Sequence, residues 1–123
     1  MNGHVLFIML KVLDAAAIQR QLTGVEPLSG SNYSRWKSQL EIVLGYLDYE
    51  FVLIEDEPEK ATNDSSDAVK LKHQKWEKAN RMSLKIIRNS IRLLLSLAIR
   101  GGIPETKTAK ELMEVIKTQF VGS

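Results

Sequence analysis

Between Lys70 and Arg92 there are eight Lys or Arg side chains against one acid, Glu77. Lys70, Lys78, Arg81, Lys85, Arg88 and Arg92 recur at helical spacing and share one side of a helix. A basic stripe of this kind could hold phosphates, in which case binding would fall steeply with salt. Two other readings stand beside it. The stripe could be a solvated outer face balanced by the acidic 55–67 segment, because no aromatic residue interleaves it and the formal net charge is only +2. It could also meet the acidic segment of a second copy, a contact that salt would weaken.

Trp36 and Trp76 have faces on which nucleobases could stack. Each lies on the apolar side of its own helical pattern, so both are read as core anchors. Ile42 and Tyr46 lie off the main apolar face of their segment, one turn apart, with Tyr49 close behind. Grouped exposed apolar residues mark interfaces, and these three are the candidate self-association surface; a second core contact is the alternative. Nothing suggests catalysis. The only histidines, His4 and His73, are far apart, and no Ser-His-Asp set is evident. With no cysteine, disulfides, thiol catalysis and cysteine-ligated metals are excluded, and no cofactor is expected. Gly30, Gly101 and Gly102 lack the spacing and the following Lys-Ser or Lys-Thr of a phosphate-binding loop.

The elements that would position these groups are helical. Residues 4–22 suggest a first helix, and Gly24, Pro27, Ser29, Gly30 and Ser31 a linker. Trp36, Leu40, Val43, Leu44 and Leu47, with Tyr33 one turn ahead, predict a helix from Tyr33 to about Asp48, with Asn32 or Ser31 as its N-cap. An acidic stretch, Glu55-Asp56-Glu57-Pro58-Glu59, and a polar loop lead to a second helix starting near Asp64 to Asp67. Its apolar side carries Trp76, Ala79, Ser83, Ile86, Ile87, Ser90 and Leu94. A break is expected near Ser90 to Arg92, ahead of Gly101-Gly102 and Pro104. Thr108-Ala109-Lys110-Glu111 is a capping box opening a last helix, with Ala109, Leu112, Val115, Ile116 and Phe120 on one face. The expected core anchors are Trp36, Leu40, Leu47, Trp76, Ile86, Leu112 and Ile116. No segment alternates with period two, so the expected fold is all-α, a small bundle of about four to six helices.

At 123 residues, 44% hydrophobic and 26% charged, the chain has ordinary globular composition and supports one core. No apolar run approaches the ~20 residues of a membrane span. Val5-Leu6-Phe7-Ile8-Met9-Leu10 before Ala15-Ala16-Ala17 faintly suggests a secretory signal. No Lys or Arg precedes it, so a short N-terminal helix is the expectation. An intracellular, cytoplasmic protein is expected. The end at Val121-Gly122-Ser123, just after a helical pattern, suggests that a longer protein was cut short.

Taken in order, Leu28-Ser29-Gly30-Ser31-Asn32-Tyr33-Ser34-Arg35-Trp36, the spacer Glu55-Asp56-Glu57-Pro58, the run from Trp76 to Ile87 and Thr108-Ala109-Lys110-Glu111 resemble the N-terminal Gag region of plant copia-type LTR retrotransposon polyproteins. Each motif is weak alone; their order and spacing carry the resemblance, which covers about residues 26 to 122. It implies a helical domain like a retroviral capsid N-terminal domain, self-associating into particles that package the element's RNA. It also implies a domain boundary, with 1–25 an extension outside the match and 26–123 the capsid-like part. Where family members often carry proline after the position of Ile91, this chain has Arg92. The family's zinc knuckle, protease, integrase and reverse transcriptase lie further along than this chain extends. Partners implied are further copies of the chain and, weakly, RNA; neither a membrane nor a small-molecule substrate is expected. An inactive retroelement remnant is a further alternative.

Overall fold

The structure is a computed structural model that describes residues 25–91 and 105–120. Three α-helices are present among them: α1 (Tyr33–Tyr46), α2 (Asp67–Asn89) and α3 (Ala109–Phe120). A short 3-10 turn, Glu50–Leu53, lies between α1 and α2 and packs against all three helices. The only strand-like feature among the described residues is an isolated parallel bridge between Leu28 and Ile91. The described residues are helical and hold three α-helices, where the whole chain was expected to hold four to six. The predicted helix over residues 4–22 and the position of Leu94 lie outside the described residues.

The apolar stripes of the three helices meet in one core. Trp36, Leu40 and Leu44 from α1 pack with Trp76, Ala79, Ile86 and Ile87 from α2 and with Ala109, Leu112 and Ile116 from α3. Val52 of the 3-10 turn fills the remaining side. Val25, which the sequence assigns to the extension, is buried in this core beside Leu28, so the packed unit includes it.

Leu47 departs from its expected place: it is 37% exposed. Helix α1 stops at Tyr46 in a Schellman turn, in which the Tyr49 N–H donates to the Leu44 carbonyl (2.8 Å) and the Asp48 N–H to that of Gly45 (3.1 Å). Asp48 adopts a left-handed conformation, φ 61°. The chain therefore turns away one residue after Leu47. Tyr49, Phe51 and Val52 reach the core in its stead.

The ends of α2 behave as their residues dictate. Ser66 is the N-cap, its hydroxyl accepting from the Val69 N–H at 3.3 Å, and Asp67 and Arg88 sit at the ends where the helix dipole favours them. The helix finishes at Asn89 with Ser90 as cap, at the predicted break. Asn32 occupies the cap position of α1, but its side chain makes no capping bond. Instead its Oδ1 accepts from the Ser29 N–H (2.9 Å) and its Nδ2 donates to the Pro27 carbonyl (3.0 Å), so it braces the preceding turn.

Candidate functional site

The predicted basic stripe divides into groups with different roles. Lys70 is half-buried and its ammonium donates to the Asn63 carbonyl at 3.4 Å, tying the polar loop to α2. Arg88 is half-buried and lies 3.8 Å from Glu105. Arg92 lies outside the described residues. Lys78, Arg81 and Lys85 are exposed, spaced three and four residues apart, and have no carboxylate within ion-pair distance among the described residues. These three form a cationic face about two turns long. The acidic segment does not neutralise it.

The acids of that segment face elsewhere. Asp56 pairs with Lys110 of α3 at 2.8 Å, and the Lys110 ammonium also donates to the Ile54 carbonyl at 3.3 Å. The hydrogen bond and the charge of Lys110 lower the Asp56 pKa below the usual carboxylate range. Glu57 lies 3.9 Å from Nε2 of His73, whose Nδ1 is 3.7 Å from Glu77. The segment thus crosses from the 3-10 turn towards α3 and the first half of α2, on the side of α2 away from Lys78, Arg81 and Lys85.

Of the candidate self-association surface, Ile42 and Tyr46 are 71% and 75% exposed. They are four residues apart on α1, which places them together on its outer face. Tyr49 is not part of this patch: the Schellman turn directs it onto the core. Ile54 (69%) and Leu71 are further exposed apolar residues that the sequence reading did not single out.

The two tryptophans are not available for stacking. Trp36 is fully buried, and its indole N–H donates to the Ser90 hydroxyl at 2.9 Å. Trp76 is 5% exposed, and its indole N–H has no hydrogen-bond partner among the described residues. Leu40, Ile86, Leu112 and Ile116 are buried with them.

Two buried polar residues, Asn80 and Ser90, make connections that the sequence analysis did not name. Asn80, on the core side of α2, accepts from the Ala109 N–H at 2.7 Å and donates to the Lys107 carbonyl at 2.9 Å. It thereby fixes the start of α3, together with Thr108, whose hydroxyl accepts from the Glu111 N–H at 3.1 Å. Ser90 accepts from Trp36, donates to the Ile87 carbonyl (2.7 Å), and its own carbonyl accepts the Leu28 N–H (2.9 Å). A polar residue on an apolar helical face was the available signal in both cases.

Among the described residues no group of three metal-ligating side chains converges, and no helix is long and apolar enough to cross a membrane. What this surface offers is an apolar patch, a cationic face and an acidic segment. No family model, no curated protein and no solved structure matches the chain.

Proposed function

We propose that this is a non-enzymatic, Gag-like capsid domain that works by self-association. The observation that carries the reading is the Ile42–Tyr46 pair, large apolar side chains standing on the outer face of α1 where the core claims nothing. Burying them against another copy removes apolar surface from water, worth about 25 cal/mol per Å². One such contact is weak. Repeated contacts in a closed assembly act together, so none needs to be strong. The order and spacing of the Gag-like motifs support the same reading.

The test is the solution mass of nuclease-treated protein across a wide concentration range, by light scattering. The expected result is growth from monomer to larger species, with smaller species for the Ile42→Ser, Tyr46→Ser variant at equal concentration. A constant monomer would overturn the proposal.

A second reading draws on Lys78, Arg81 and Lys85, three cations without acidic partners among the described residues. In it the domain is a binding module for RNA. Salt-dependent RNA binding by a protein that stays monomeric would favour it.

A further inference from the structure

A groove of about 660 Å³ opens between the acidic segment, α2 and the first turns of α3. Its walls carry five carboxylates: Glu55, Asp56, Glu57, Glu111 and Glu114. Lys110, the one basic residue lining it, is taken by Asp56. Glu57 faces His73. Glu55, Glu111 and Glu114 have no cation within ion-pair distance among the described residues.

Beneath these exposed acids lie Val52 and Trp76, both buried. Trp76 also lines an adjoining recess of about 250 Å³. Its indole N–H is buried with no hydrogen-bond partner among the described residues. Acidic walls over a buried apolar floor suit cationic side chains whose alkyl stems lie along apolar surface. Lys78, Arg81 and Lys85 offer that chemistry.

We propose that the Lys78–Arg81–Lys85 face of one copy docks into the Trp76 groove of the next, head to tail. The proposal rests on the self-association reading and supplies its second contact. Trp76 and the cationic face lie on opposite sides of α2, so one copy cannot satisfy itself. Because two unlike surfaces meet head to tail, the contact is heterologous and propagates until a ring closes or a filament grows.

The Ile42→Ser, Tyr46→Ser protein isolates this contact by weakening the apolar one. In that background we would neutralise either the face (Lys78→Gln, Arg81→Gln, Lys85→Gln) or the groove (Glu55→Gln, Glu111→Gln, Glu114→Gln). Should the groove variant lose helicity by circular dichroism, Glu55→Gln alone, in the exposed segment, replaces it. At about 50 mM salt the parent is expected to associate and to dissociate at about 500 mM, since the charges are solvent-screened. Each neutralised protein is expected to be monomeric. Their mixture is expected to stop at a one-to-one heterodimer, because each retains one working surface. A parent that stays monomeric at low salt, or neutralised proteins that associate as the parent does, would overturn the contact. If wild-type protein still self-associates in those cases, only this contact falls; if wild type is monomeric throughout, the self-association reading falls with it.

Discussion

Asn80 is buried on the core side of α2, yet both ends of its amide are used. An apolar residue there would leave the Ala109 N–H and the Lys107 carbonyl to find other partners at a closed helix start. Removing one member of a buried hydrogen-bonded set costs the desolvation of what is left behind, about 1–3 kcal/mol per group. Asn80→Ala is therefore expected to destabilise the domain by roughly that amount in chemical denaturation. Asn80→Asp keeps the acceptor for Ala109 but sets a carboxylate oxygen against the Lys107 carbonyl, and is expected to be no better than alanine. Ser90 works in the same way at the C-terminal end of α2, where it meets the Trp36 indole. In both positions a polar residue on the core side of α2 is the connector to another part of the fold.

At the scale of elements, helix identity follows from spacing and helix ends follow from caps. The apolar recurrences of α1, α2 and α3 predict all three helices, and Ser66 and Thr108 mark two of the starts. The end of α1 was not legible in the same way. A Schellman turn most often places glycine in the left-handed position, and here that position holds Asp48. With no glycine to announce the stop, the apolar period runs on through Leu47, which the structure leaves partly exposed. Replacing Asp48 with glycine relieves a left-handed conformation that costs an ordinary side chain about 1 kcal/mol, a cost aspartate partly offsets. Asp48→Gly is expected to raise the thermal midpoint by a few degrees or less. A clear loss of stability would show that the Asp48 side chain holds the turn. Gly30, at φ 99°, is the opposite case: glycine stands where the backbone requires it.

Across the whole molecule, the acidic segment is held by few contacts, chiefly Asp56 to Lys110 and Glu57 near His73. Lys110 lowers the folded-state pKa of Asp56, so the stability this pair supplies is present above the ordinary carboxylate value and is lost as pH falls through the lowered one. Both partners are substantially exposed, so the effect is small and weakened by salt. Asp56→Asn is expected to flatten the acid limb of a stability profile taken from neutral pH to about pH 2 at low salt, with little change in the core. An unchanged profile would mean that the pair does not hold the segment. By itself the sequence determined the helical class, the apolar faces of all three described helices and most of the core, because side-chain periodicity is a local property of the chain. It also marked Ile42 and Tyr46 as surplus to the α1 face. Only the tertiary structure decided that Tyr49 turns inward while Leu47 does not. It alone showed Lys70 and Arg88 engaged while Lys78, Arg81 and Lys85 stand free of acids among the described residues. It alone brought Glu55, Glu111 and Glu114 around Trp76. Those outcomes depend on which residues distant in sequence come within a few ångströms of each other, and that is settled by packing rather than by spacing along the chain.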